Sequence, residues 1–206
     1  FTFLGKAQNN DSILLELDKT IEQSNIYESK TRRSISNLLE LLNHSSSLEK
    51  KYVYNNALAN AYIVFKSDSA KIFALNTLNL AKQLNDEPRI NESKILFASI
   101  DAKAGMFPLA VDMLNGIDIK KLTKNQLIHY YKTYSEILIY WMEYMEGQDV
   151  TELSVKRNVI RDALIEILPK NSVEYAINLG TKDIEYKKYN EAEEILLRNF
   201  KYAKKG

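Results

Sequence analysis

The chain has 206 residues, 45% of them hydrophobic and 27% charged, which is enough to bury a core and keep a solvated surface. Lys and Arg number 28 against 27 Asp and Glu, so no overall charge surplus marks the chain for nucleic acid or an anionic membrane. Cysteine is absent, which excludes disulfides, zinc knuckles and thiol nucleophiles, and six Gly with three Pro are too few turn-formers for a sheet-rich fold.

The chain opens on Phe1-Thr2-Phe3-Leu4-Gly5-Lys6-Ala7. Residues 1–10 read as the remnant of a secretory signal, with small residues at the two positions a signal peptidase reads, or else as an apolar N-terminal arm. Residues 11–206 read as a single helical-repeat domain. No segment reaches the roughly 18 apolar residues of a membrane span.

The first helix is predicted over 11–23, with Ile13, Leu14, Leu17 and Ile21 on one face, and a second over 28–42, with Ile35, Leu38, Leu39 and Leu42. Ser45-Ser46-Ser47 breaks the pattern. The third helix, 48–65, presents Tyr54, Leu58, Ala61, Tyr62 and Phe65, and the fourth, 67–84, presents Ala70, Phe73, Ala74, Leu78 and Ala81. Pro88 suits the first turn of the fifth helix, 89–104, where a missing N–H costs nothing. Gly105 can end that helix in the left-handed conformation, and Pro108 opens the sixth, which stops near Asn115 and Gly116.

Thr123 and Gln126 make a capping box for the longest predicted helix, 123–146. Its stripe of Leu127, Tyr130 or Tyr131, Tyr134, Leu138, Trp141 and Met145 is widened by Ile137, Ile139 and Met142, so it is expected to pack on two sides. A helix over 151–168 follows, then a last pair over 172–187 and 190–204, with Asn171 and Glu174 as the expected cap. Strict alternation is missing, so no strand competes. About ten helices joined by connections of two to eight residues imply antiparallel neighbours.

One pattern occurs twice. Ala98 and Ala110 lie twelve apart with Phe107 three before the second, and Gly180, Tyr189 and Ala192 repeat that spacing. Small residues let the two helices of a hairpin cross closely, and the aromatic plugs the gap to the next hairpin. On these residues 91–117 and 173–204 resemble tetratricopeptide repeats, with a weaker copy over 52–84 in which Leu58 and Ser67 replace the small and aromatic residues. Ala70 to Ala110 is 40 residues and Ala110 to Ala192 is 82, against a usual period of about 34. The resemblance implies an all-α, right-handed superhelix of antiparallel hairpins, interrupted by a long atypical hairpin around Trp141.

Little chemistry accompanies this. His44 and His129 lie in no metal-spaced motif, and no Walker loop, G-x-G-x-x-G or G-x-S-x-G is present. No catalytic, cofactor or metal residue is therefore assigned. The aromatics Tyr131, Tyr134, Tyr140, Trp141 and Tyr144 cannot all face one seam, so the stripe reads either as core or as a binding surface. In repeat superhelices the first helix of each hairpin lines the concave face. By that analogy Asn55, Ala59, Tyr62, Ile95, Ser99, Ala102, Ile177, Thr181 and Ile184 are further candidates, with Tyr62, Ser99 and Thr181 singled out among them as a ligand or partner surface.

The chain also resembles, over nearly its whole length, a family of exported Bacteroidetes proteins. The resemblance rests on Leu17-Asp18-Lys19-Thr20-Ile21, on Asp68-Ser69-Ala70 leading to Leu80-Ala81-Lys82-Gln83-Leu84-Asn85-Asp86, on Gly105-Met106-Phe107 with Ala110 and Leu114, and on Leu168-Pro169-Lys170-Asn171-Ser172-Val173-Glu174-Tyr175. Members look like membrane-spanning regulators in which a tetratricopeptide-like sensor precedes a transmembrane helix, a coiled coil and a helix-turn-helix. The resemblance implies a non-enzymatic binding module on the periplasmic side of the cytoplasmic membrane. It would recognise a protein, peptide or small ligand, with room for a homodimer, no nucleic acid bound by this segment, and the membrane reached only through a segment outside it. The alternative is a constitutive scaffold in a cell-envelope assembly.

Overall fold

The structure, a computed structural model, describes residues 5–63 and 66–203. The signal reading of residues 1–4, Phe65, the terminal Lys204 and Lys205, and the side chains of Ile13, Leu17, Ile21 and Lys201 lie outside the described residues. All regular structure among the described residues is helical: α1 (Gly5–Asn43), α2 (Leu48–Tyr62), α3 (Ser67–Gln83), α4 (Glu87–Lys103), α5 (Phe107–Asn115), α6 (Lys124–Tyr144), α7 (Thr151–Ile167), α8 (Val173–Glu185) and α9 (Tyr189–Ala203), with one 3-10 turn at Ile119–Lys121. The contacts cluster into two compact units, residues 1–80 and 81–206.

In the first unit, α1 is one helix of 39 residues where two were expected. Between the two expected halves stand only Ser24, Asn25, Ile26 and Tyr27, with no Gly or Pro. Their propensity cost, a few tenths of a kcal/mol each, is about what one lost capping bond costs, so running on through them is cheaper than closing one helix and opening another. The C-terminus of α1 gives way to the serine run, and Ser47 caps α2 by accepting from the Lys50 N–H. Helix α1 packs on α2, and the Tyr62 ring stacks on Phe73 of α3 at 5.5 Å.

The second unit is built of hairpins. Asp86 caps α4 by accepting from the Arg89 N–H at 3.0 Å, with Pro88 in the first turn as expected. The Thr123–Gln126 capping box of α6 forms, and the Gln126 amide also donates to the Pro88 carbonyl at 2.9 Å, tying the start of α6 to the start of α4. Helix α8 is capped by Ser172, not Asn171, because Ser172 is the residue whose hydroxyl reaches the Tyr175 N–H. The core gathers Ile95, Ala98, Phe107, Ala110, Leu114, Tyr130, Tyr134, Ile137 and Leu138 from α4, α5 and α6. Each large apolar side chain buried there contributes about 1.5–3 kcal/mol. Helix α6 touches α4, α5 and α7, so it is covered on more than one side, as its widened stripe predicts.

The doubled motif builds the same hairpin twice. At the turn after α4, Gly105 has φ +76°, its N–H donates to the Ala102 carbonyl, and the Met106 N–H donates to the Asp101 carbonyl at 2.8 Å. At the turn after α8, Lys187 has φ +60°, its N–H donates to the Ile184 carbonyl, and the Lys188 N–H donates to the Asp183 carbonyl at 2.7 Å. The small residue also does what its spacing suggests. A Cβ on Gly180 would lie 3.0 Å from Leu196 Cγ, so α8 and α9 approach as closely there as a hydrogen atom permits.

Two stability changes follow. Lys187→Gly removes the cost of a left-handed L-residue, roughly 1–2 kcal/mol, against roughly 0.5–1 kcal/mol of added chain entropy, so a gain of about 0.5–1 kcal/mol is expected in urea unfolding. Gly180→Val drives a branched side chain into Leu196 and is expected to cost about 1–3 kcal/mol by the same measurement, with helix content retained.

Candidate functional site

The aromatic run on α6 divides by face. Tyr140, Glu143 and Tyr144 are three and four residues apart and share one side of the helix near its C-terminus. Opposite them lie Ala102 and Lys103 from the last turn of α4, Gly105 from the turn, and Phe107 from the start of α5. Together they line an open, largely apolar groove of about 450 Å³. Phe107, only 5% exposed, is its buried base, stacked on Trp141 at 6.1 Å and tilted against Tyr144 at 5.7 Å. Tyr140 and Tyr144 remain 44% and 77% exposed. Such ring contacts, worth about 0.5–1.5 kcal/mol each beyond the area they bury, set Trp141 and Tyr144 against Phe107 before anything binds.

Of the residues singled out from sequence, Tyr140, Trp141 and Tyr144 are thus brought together. Tyr134 is not a surface residue. It is 1% exposed in the row that faces α4 and α5, and its hydroxyl is satisfied by donating to Asn115 Oδ1 at 2.8 Å. Tyr131 is half-buried, edge-on to Tyr130 at 5.3 Å. Asn55, Ala59 and Ile95 are buried, and Ala102, also largely buried, contributes to the lining of the groove. Ser99 and Thr181 are half-buried on α4 and α8. Tyr62 belongs to the first unit, where with Arg32, Ile35 and Lys66 it lines a separate cavity of about 230 Å³. Lys103 and Glu143 went unnoticed in the sequence because a charge on an exposed helix face looks the same whether or not it borders a groove.

No group of three or more His, Asp or Glu able to hold a metal occurs among the described residues. His129 is engaged by Glu92, Nδ1 to Oε2 at 2.9 Å, in a pair that links α6 to α4. His44 sits exposed just past the end of α1. Burial first, and then the neighbouring Tyr134 and Tyr131, push the Tyr130 phenol up to about 12, which keeps it neutral in the core.

The residues of both repeated hairpins, and the interrupting hairpin between them, fall within a single family match. The SusR N-terminal TPR domain, where TPR denotes the tetratricopeptide repeat, matches residues 21–206. The chain belongs to this family. It is the Bacteroidetes regulator family to which the sequence was likened, and the hairpins of the SusR-type TPR domain are the repeats anticipated from Ala98, Phe107, Ala110 and their counterparts. No curated protein matches the chain. TPR domains are in general non-catalytic modules that bind other proteins, so a protein partner is the expected ligand class. No helix among the described residues is long and apolar enough to cross a membrane.

One electrostatic seam in the TPR domain stands apart from the apolar packing. Helices α7 and α8 are joined by Lys182 to Asp162 at 2.7 Å, and by Glu185, which receives Arg157 at 2.6 Å and Arg161 at 2.7 Å. Arg161 is 1% exposed and also donates to Asn158, while its Nε has no hydrogen-bond partner among the described residues. Burial alone would raise the Glu185 carboxyl; hydrogen bonds and charge from the two arginines outweigh it and hold the group below its ordinary 4.5. A carboxyl depressed in the folded state stabilises the fold above its unfolded value, and that stabilisation is lost as pH falls through the folded value. The melting temperature is therefore expected to fall as pH drops below about 4.5, and Glu185→Gln should flatten part of that fall. At pH 7, Glu185→Ala should cost about 2 kcal/mol, less than the roughly 3–5 kcal/mol typical of a fully buried pair because the carboxylate is partly solvated.

Proposed function

We propose that this TPR domain is the binding and sensing module of an exported, membrane-linked regulator, and that it takes a peptide segment of a partner protein in the groove based on Phe107. The observation that carries this reading is the pair Tyr140 and Tyr144. Both are large, both are exposed, and Tyr144 is held against the Phe107 ring. Tyrosines set over a buried aromatic floor are what binding hot spots are built from, since they offer contact area with little rotamer entropy to lose. Lys103 and Glu143 add one charge of each sign at the margin, suited to the polar backbone and termini of a peptide.

Transmission would run through α6. Its C-terminal end carries the tyrosines, and its body packs on α4, α5 and α7, so a ligand that engages Tyr144 biases how α6 sits between its neighbours. A change in the curvature or pairing of the repeat stack would then reach the rest of the regulator. Export rests on the reading of residues 1–10 and on the family resemblance. A second reading, a constitutive envelope scaffold, is favoured by the apolar residues left exposed on the hairpin α8–α9, a surface that suits permanent cover.

Panning a displayed peptide library on the chain, then comparing affinities on Tyr140→Ala/Tyr144→Ala, tests the site. Removal of two such anchors is expected to weaken selected peptides by about 30-fold or more, with the melting temperature lowered by no more than about 6 °C, the loss of the Tyr144 ring contact. Peptides that bind the double variant as well as the parent would sink the proposal. Hydrogen exchange in α6 and α7 that slows on peptide binding favours the sensor; exchange that is unaltered favours the scaffold.

A further inference from the structure

Residues 29–39 of α1 carry Lys30, Arg32 and Arg33 and no acid, in a chain whose charges otherwise nearly balance. Arg32 and Ile35, three apart, share a face of α1. With Tyr62 at the end of α2 and Lys66 just before α3 they line the cavity of about 230 Å³ in the first unit. Its apolar wall is fixed by packing. Ile35 is 9% exposed, and the half-buried Tyr62 ring lies parallel to Phe73. Its charged wall is basic, with Arg32 and Lys66 both exposed to solvent. The backbone of Lys66 is bonded in both directions: its N–H donates to the Tyr62 carbonyl at 2.8 Å, and its carbonyl accepts from the Ala70 N–H at 3.0 Å. The lysine is thus held beside Tyr62 before anything binds.

Two like charges bordering one small space repel each other, and little offsets them among the described residues. No described lining residue is acidic. Glu28 stands 3.5 Å from Arg32, but both side chains are exposed and such a pair in water is weak. The Lys66 ammonium has no ion-pair partner among the described residues. We propose that this cavity binds a small organic anion, with its carboxylate or phosphate between Arg32 and Lys66 and its carbon body against Ile35 and Tyr62. The guanidinium offers a planar fork to two oxygens of the anion, and the ammonium adds a point charge from another helix. The volume lies below the roughly 300–1,000 Å³ of drug-sized sites, so the occupant is compact, a single ring or a short chain. A neutral molecule of the same shape leaves both cations unmatched, and a bare inorganic anion leaves the Ile35 and Tyr62 wall uncovered, so both are disfavoured. The site lies in the other unit from the groove at Phe107 and does not depend on it.

The test is calorimetric titration of the full chain with benzoate, phenyl phosphate, inorganic phosphate and the neutral benzamide. Benzoate or phenyl phosphate is expected to bind saturably, the tighter of the two naming the preferred headgroup, with benzamide and inorganic phosphate at least about tenfold weaker. Added salt should weaken the binding. Arg32→Gln and Lys66→Gln, both at exposed positions, should each weaken it by about fivefold or more with the melting temperature unchanged, and Arg32→Lys should fall between Arg32→Gln and the parent. Tyr140→Ala/Tyr144→Ala should leave it unchanged, which separates this cavity from the peptide groove. The proposal is overturned if neither organic anion binds saturably, or if benzamide or inorganic phosphate binds as tightly as they do. Undiminished binding in both glutamine variants would overturn it as well.

Discussion

Everything in the second unit depends on how closely two helices of a hairpin can cross. Gly180 stands where any Cβ would press on Leu196, and Ala98, Ala110 and Ala192 are buried at the matching crossings. Close approach lets two short helices, neither able to hide its apolar stripe alone, form one continuous apolar surface. That surface then has to be covered. In the first hairpin α6 covers it, and the cover brings aromatic side chains down onto Phe107. The candidate groove is a by-product of that packing, since Tyr140 and Tyr144 project from the end of the helix whose body is committed to the core.

The two ways in which helices are joined in this unit differ in strength and in kind. The α4–α5–α6 contact is apolar and interdigitated, with polar bonds from Tyr134 to Asn115, from Gln126 to Pro88 and between His129 and Glu92. The α7–α8 contact carries a seam of ion pairs around Glu185, with a buried guanidinium that is not fully satisfied. Buried networks of that sort specify geometry more than they stabilise it, and they respond to pH and salt where an apolar core does not. The hairpin α8–α9 therefore sits on the more condition-sensitive joint.

Family membership and groove geometry support each other without being the same argument. The TPR assignment makes a protein partner the natural ligand class. It does not select a surface, because repeat proteins bind through many faces. The selection comes from exposure: Tyr144 and Tyr140 at one place, Tyr189, Ile184 and Leu197 at another. One is an aromatic platform with mixed charges at its margin, the other an apolar trough lined by Tyr189 and aliphatic side chains.

The helices were legible because period, caps and breakers are local. The capping box at Thr123 and Gln126, Pro88 in the first turn of α4 and the left-handed Gly105 each depend on a few neighbouring residues. Helix α1 was misread at Ser24–Tyr27 because weak breakers do not stop a helix, and the cap of α8 fell on Ser172 because two adjacent polar residues compete on geometry the chain does not spell out. The hairpin repeat itself followed from spacing alone, since a small residue twelve before another, with an aromatic between, has few other uses. What spacing could not supply was the partition of the aromatic stripe. Tyr134 and Tyr144 are the same residue type on the same helix, yet one is core and the other surface. That difference depends on where α5 ends and α7 begins against α6, a long-range matter of which side of a helix finds a neighbour. By itself the sequence determined helices, hairpins and the absence of recognisable catalytic motifs. Only the tertiary structure decided which tyrosines remain exposed, as Tyr140 and Tyr144 do, and which are buried in the core, as Tyr130 and Tyr134 are.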